Sequence, residues 1–355
     1  MFTYNQLQQF SYQVFKKMGC NEDNAQLAAD VLVSADIRGI DSHGVARLIG
    51  YVRLWDAGRI NPNPNVRLVH ETPSTGVVDG DAGLGLIVAP KAMGIAMNKA
   101  EQVGTGWISV KNSNHFGIAG YHAMMGLKQD MIGMAMTNAS PLVAPTYSKE
   151  RLLGTNPIAV AIPTGVEPPF VADFATTTAA NGKLEILQRQ NEQTPNGWVQ
   201  KADGGASTDA HEVKNGGALL PLGGDREHGS HKGYCLGSIV DIFSAVFSGA
   251  NYGPWAPPFV SFLPLSENPV GEGLGHFVGA MRIDGFRPAQ DFKDHMDNWI
   301  QRFRNADPID PNQKVQIPGD QERLMEKERQ KNGIPLNENV VNDLQELAKR
   351  FSLTF

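Results

Sequence analysis

Apolar residues recur every three or four positions from the start of the chain. Leu7, Phe10, Val14, Phe15 and Met18 share one helical face, with Thr3 as its cap and Gly19-Cys20 as its stop. A second helix is predicted after Asn21, which caps an acidic first turn at Glu22-Asp23. Leu27, Val31 and Ile37 form its buried side and Gly39 ends it. A third is predicted from about Ser42 to Ala57, with Gly58 in the stop position. At a helical period His43, Arg47 and Tyr51 are successive i, i+4 neighbours and would lie along one face.

Beyond Asn61-Pro62-Asn63-Pro64 the pattern changes to short β-rich runs alternating with helices. Strands are predicted at 66–69, 75–78, 107–110, 131–136, 158–162, 170–172 and 276–283, and apolar helices at 85–101 and 232–247. Few of these strands alternate cleanly, which predicts a sheet covered on both faces. Residues 191–229 are polar and Gly-rich and 249–275 are rich in Pro and aromatics, so both read as long loops. An apolar stripe at Phe292, Met296, Trp299, Ile300 and Phe303 and a last helix at 338–351 mark a return to helices. We expect this tail to pack back on the N-terminal helices. The division is then 1–72 with 288–355 as a helical part and 73–287 as an α/β part, an α/β (α+β) chain overall.

The 355 residues suffice for a large core although only 41% are hydrophobic. Cys20 and Cys235 lie far apart and read as reduced thiols, and the first residues carry no basic-then-apolar leader, so a cytoplasmic protein is expected. No run has the length of a membrane span. A formal charge of −6 without a clustered basic segment points away from nucleic acid and anionic lipid and toward a small-molecule partner.

Three stretches carry candidate chemistry. In Asp41–Tyr51, an imidazole can move a proton, a guanidinium can grip a carboxylate with paired hydrogen bonds, and a phenol can donate one more. Together they describe a pocket for a small acid, although a capped surface helix has the same composition. Lys111–His122 places Asn114 and His115 between a strand and a helix, where Asn and Ser can fix a histidine tautomer or simply make a turn. Arg151–Pro157 and Asp173–Thr176 each adjoin a strand and offer amides and a carboxylate to a nucleotide. Neither Gly80–Gly85 nor Gly273–Gly279 fits the Rossmann fingerprint, so any dinucleotide is held by another fold. His211, His228 and His231 offer a weak metal set, without cysteine or a helical pair, and we expect no metal.

Four motifs in order resemble the malate/lactate/sulfolactate dehydrogenase family, which also includes ureidoglycolate dehydrogenase, diketogulonate reductase and piperideine-carboxylate reductase. They are Asp36–Gly44, Asn112–Gly117, Gly154–Pro157 and His231–Tyr234, and the resemblance covers nearly the whole chain. It implies interconversion of a 2-oxo and a 2-hydroxy acid with NAD or NADP, in a homodimer with a non-Rossmann cofactor fold. By the same resemblance His43, Ser42, Arg47, Tyr51 and Asn114 line the substrate side, and Ser140, Asn156, Asp173, Phe174, Ala175, His231, Lys232, Pro318, Gly319 and Asp320 the cofactor side. It offers both His43 and His115 as the acid/base; we place His115 in that role, with His43 as its partner or a substrate donor. The chain departs from the family pattern at Cys235, where Gly is usual, at Asp320, where Glu is usual, and in a longer Pro-rich stretch at 254–269. Reduction of a cyclic imine is the alternative within oxidoreductases, and a metal-dependent hydrolase on the three loop histidines the alternative outside them.

Overall fold

The computed structural model describes residues 1–355, the side chain of Arg189 apart. Helix α1 (Tyr4–Lys17) starts at a capping box in which Thr3 and Gln6 satisfy each other's amides. Asn21 caps α2 (Glu22–Ile37) by accepting from the Asn24 amide. The predicted third helix is shorter than expected. Residues Asp41–His43 and Val45–Arg47 form two 3-10 turns, and only then does α3 (Leu48–Asp56) begin. The cause is local. The buried Asp36 carboxyl accepts the Val45 amide at 2.9 Å, and a Cβ on Gly44 would lie 2.0 Å from its other oxygen, so the chain turns over Asp36 at Gly44. The continuous helical face expected for His43, Arg47 and Tyr51 is therefore broken at Gly44.

The remaining elements are β1 (Arg67–Glu71), β2 (Thr75–Gly83), α4 (Gly85–Val103), β3 (Thr105–Ser113), α5 (Ala119–Met124), β4 (Met131–Thr137), β5 (Ile158–Ile162), β6 (Phe170–Phe174), α6 (Asn181–Gln190), β7 (Val199–Gln200), β8 (Ala206–Ser207), β9 (Ala218–Leu219), α7 (Ser230–Asp241), β10 (Leu274–Arg282), α8 (Ala289–Arg304), α9 (Asp320–Asn332) and α10 (Glu338–Phe351). Seven strands form one sheet in the order β1-β2-β3-β10-β4-β5-β6. Only β2 and β3 are parallel; every other pair is antiparallel. The sheet is nonetheless covered on both sides, as the unalternating strands predict. Val278 and Ala280 face the α4 and α5 side, with Val88, Ala92 and Ala123, while Phe277 points to the opposite layer with Val240 and Phe243. The polar stretch 191–229 is not a plain loop, since it folds β7, β8 and β9 into a small second sheet.

The N-terminal helices and the end of the chain share one core, in which Leu7, Phe15 and Leu32 pack with Ile334, Leu344 and Leu347. The tail divides, however. Helix α8 lies at the β6 side, with Trp299 edge-on to Phe170 at 5.9 Å and the Asp297 carboxylate accepting the amides of Gly165, Val166 and Glu167. At the other edge β1, placed before residue 73, pairs with β2 in the sheet. Among the described residues, no helix is long and apolar enough to cross a membrane.

Candidate active site

The carboxyl end of β3 delivers His115 into a cleft against the 3-10 turns and α3. Asn114, buried beside it, donates its side-chain amide to the carbonyls of Arg59, Ala82 and Gly83 at 3.0–3.2 Å. That amide pins the loop, so Asn114 sets where His115 stands. Nδ1 of His115 lies 2.7 Å from the Tyr51 hydroxyl, and the Gly117 amide points at the same nitrogen from 3.4 Å. The His43 ring stacks on His115 with centroids 5.7 Å apart and planes 21° from parallel, and its own Nδ1 is 2.8 Å from the Ser42 hydroxyl. Ser42, His43 and Tyr51 thus meet Asn114 and His115 in one group although Gly44 breaks the helix expected to carry the first three.

Burial sets the protonation of this group. It lowers the His43 pKa to about 4, with the Arg47 cation adding to the effect. His115 is pushed well below the ordinary histidine range, first by burial, then by His43, Arg47 and His276. Tyr51, sealed from solvent, is raised by burial, and Arg47 only partly offsets this. At neutral pH both imidazoles are uncharged and the phenol keeps its proton. The tyrosine hydroxyl can donate to Nδ1 or accept from it, so it suits either tautomer.

Arg47 donates Nε to the Ser42 carbonyl at 2.5 Å, and its Nη2 is 3.4 Å from Oε2 of Glu185 on α6. Asn181 donates to the other Glu185 oxygen at 2.9 Å. This pair stands between a cleft of about 470 Å³ and one of about 260 Å³, lining both. Glu185 was not legible as a site residue. It lies 138 residues from Arg47 in a stretch with no motif.

A second group gathers most of the candidate cofactor residues. Asp173, at the end of β6, accepts the Gly120 amide at 2.7 Å, and Phe174 beside it is exposed. Thr176 follows, and its hydroxyl donates to the Asn156 carbonyl at 3.0 Å while its own carbonyl accepts the Leu222 amide at 2.9 Å. Asn156 is fully buried and donates to the Gly237 carbonyl of α7 at 2.9 Å. Leu222 opens the turn Gly223–Gly229, whose glycines take positive φ before α7 begins with Ser230, His231 and Lys232. Lys232 is exposed and makes no ion pair among the described residues, while His231 Nδ1 lies 2.9 Å from Arg226. Pro318 accepts the Val171 amide at 3.0 Å, which sets Pro318-Gly319-Asp320 beside β6. The Asp320 carboxylate is committed there to the Ile317 amide, Arg304 and Arg323. Ser140 stands apart from this group. Its hydroxyl accepts the Phe259 amide at 2.9 Å, next to the histidines.

The loop histidines do not converge. His211 pairs with Asp209 and His228 with Asp225, each within its own turn. Among the described residues, no group of three or more His, Cys, Asp or Glu side chains is placed to hold a metal.

The family model described as malate/L-lactate dehydrogenase matches residues 2–345. The chain is 42% identical to a malate dehydrogenase of Pyrococcus abyssi, over 98% of this chain and 93% of that one. It is 36% identical to an L-sulfolactate dehydrogenase of Methanocaldococcus jannaschii, over 96% and 94%. Its fold superposes on the crystal structure of a malate dehydrogenase from Entamoeba histolytica with a TM-score of 0.92, at 33% identity over 99% of this chain and 98% of that one. The chain therefore belongs to the malate/L-lactate dehydrogenase family of oxidoreductases.

Proposed function

We propose that this enzyme interconverts a small 2-hydroxy acid of the malate or sulfolactate type and its 2-oxo acid, using NAD or NADP, with His115 as the acid/base. The observation that carries the reading is His115 bonded to Tyr51 and stacked on His43, beside Arg47. Arg47 exchanges Glu185 for the substrate carboxylate and fixes the acid by a charge-assisted bond. Ser42 and His43 then orient the carbon that bears the oxygen, and holding it in place supplies much of the rate. In oxidation Nε2 of His115 takes the hydroxyl proton in the tautomer whose Nδ1–H donates to the Tyr51 oxygen, which forgoes the long 3.4 Å approach of the Gly117 amide. In reduction the imidazolium returns that proton to the developing alkoxide. Asn114 acts at one remove by fixing the loop.

When bound, the nicotinamide gives or accepts the hydride. The residues of the second group suit such a cofactor. A turn of positive-φ glycines feeding the first turn of α7, with the unpaired Lys232 in it, fits the negative charge of a pyrophosphate. Asp173, Phe174 and Ala175 lie across the Thr176–Leu222 link from that turn, and Asn156 braces it from below. Pro318–Asp320 extend the same edge. We also infer a homodimer, supported by Ile239, Ile242, Val246 and Phe247, which remain exposed along α7 and its continuation. Light scattering then gives twice the 38.5 kDa chain mass.

The test is loss of reduced-nicotinamide absorbance with oxaloacetate, sulfopyruvate, pyruvate and a cyclic imine against both cofactors. Turnover of a 2-oxo acid is expected; turnover of the imine alone, or of nothing, contradicts the reading.

A further inference from the structure

The Pro-rich stretch after α7 crosses His115 and Tyr51 as a strap, and one side chain of it packs on both rings. The Phe259 ring lies 4.7 Å from the His115 ring and 5.2 Å from that of Tyr51, centroid to centroid. It occupies a notch in α3. A Cβ on Gly50 would fall 2.5 Å from the tip of the Phe259 ring. Three polar contacts hold the strap in place around it. Ser140 accepts the Phe259 amide, Arg53 donates to the Phe259 carbonyl, and Arg59 donates to the Pro258 carbonyl at 3.0 Å. All three contacts fall on Phe259 and the residue before it. Phe259 to Phe262 also form a wall of the 470 Å³ cleft into which Arg47 and Arg53 project.

Glycine inside a helix is unfavourable relative to alanine, so its place in the nine-residue α3 needs another reason. The seat for the Phe259 ring supplies one. We propose that Phe259 is a positioning and specificity-determining residue: seated over Gly50, its ring holds His115 against Tyr51 and forms the wall that limits the carbon chain of the acid gripped by Arg47. This rests on the functional reading above. A substrate held by its carboxylate at Arg47 projects its remaining carbons into a cleft whose apolar side is the strap. Removing the ring enlarges that side and frees the imidazole at the same time.

The experiment is a double-mutant cycle with Gly50→Ala and Phe259→Ala, reading kcat and KM separately for oxaloacetate and for a 2-oxo acid with a longer side chain. Gly50→Ala keeps the helix backbone but drives a methyl against the seated ring, so the variant is expected to fold with a lowered melting temperature, measured alongside the kinetics. Each single variant is expected to lower kcat on oxaloacetate about tenfold and to shift the kcat/KM ratio toward the longer acid by about tenfold. The double variant is expected to be little worse than either, because both changes remove the same seated ring. Phe259→Leu, which keeps apolar bulk and puts no polar atom at the notch, is expected to give a ratio between those of wild type and Phe259→Ala. Additive effects, or an unaltered ratio in both single variants, overturn the proposal. Wild-type protein that reduces none of the acids would instead overturn the functional reading on which it rests.

Discussion

The Tyr51 hydroxyl stands 2.7 Å from Nδ1 of His115, joining a residue of the helical core to the end of a strand 64 residues later. This bond makes the imidazole a two-ended group, with one nitrogen matched by the phenol and the other left for a substrate. Tyr51→Phe keeps the packing and removes the match. We expect turnover to fall roughly tenfold and stability by about 0.5–1.5 kcal/mol, the usual net worth of such a bond. Steady-state kinetics and a denaturant titration check the two numbers, and unchanged turnover would exclude a part for this bond in catalysis.

Arg47 is held between Glu185 and its own loop before any acid arrives. Arg47→Ala is expected to raise KM for the acid by the loss of a charged hydrogen bond, roughly 1.5–3 kcal/mol. Glu185→Gln removes the competitor and should lower KM a few-fold with kcat nearly unchanged. Opposite shifts of KM in these two variants are the signature; parallel shifts would show that Glu185 assists binding instead of competing with it.

The pH dependence has a defined sign. His122 and His276 are fully buried and held down to about 4 and about 3 by burial. An unfolded chain takes up these protons near pH 6.5, the folded chain only near 4 and 3, so the unfolded state binds more protons in between. Stability is therefore lost as pH falls from about 6.5, by an amount on the order of several kcal/mol by pH 3. Asp36 opposes this. Burial raises it to about 8, the folded state favours its protonated form, and that share is lost as pH rises from about 4 through 8. Melting temperatures should peak near pH 6.5. The rate of hydroxy-acid oxidation, which needs the uncharged His115, should show no acid limb at pH 6.5, and kcat/KM profiles would reveal one if His115 had an ordinary pKa.

Gly44 turns the chain over the buried Asp36 carboxyl, with no room for a methyl group. Gly44→Ala is expected to destabilise by roughly 1–3 kcal/mol or more, as overpacking does, and to displace His43. The midpoint of urea unfolding measures the first, and the loss of activity in still-folded protein the second.

How far the sequence alone reached can be seen at these same residues. The helices at 4–17, 22–37 and 338–351 and all seven strands of the main sheet were legible, because most have a cap or a run of buried residues that depends on neighbours in the chain; the exposed edge strand β1 was legible only from its β-rich residues after the Pro-rich linker. His43, Arg47 and Tyr51 were found for a spacing that the structure does not use. They are assembled by Asp36, buried under Gly44, and by the strand that brings His115 across. Glu185 and Phe259 had no local signal, since their meaning comes from partners more than a hundred residues away. The short strands of the second sheet, two residues each, are too brief for any periodicity to show.

The account stands most directly on His115. Nicotinamide-linked turnover of oxaloacetate by wild-type protein and by His115→Ala, with cofactor affinity measured alongside by fluorescence, is the decisive comparison. Turnover lower by about two to four orders of magnitude with cofactor binding retained is the predicted result. A His115→Ala protein that turns over at close to the wild-type rate would contradict it.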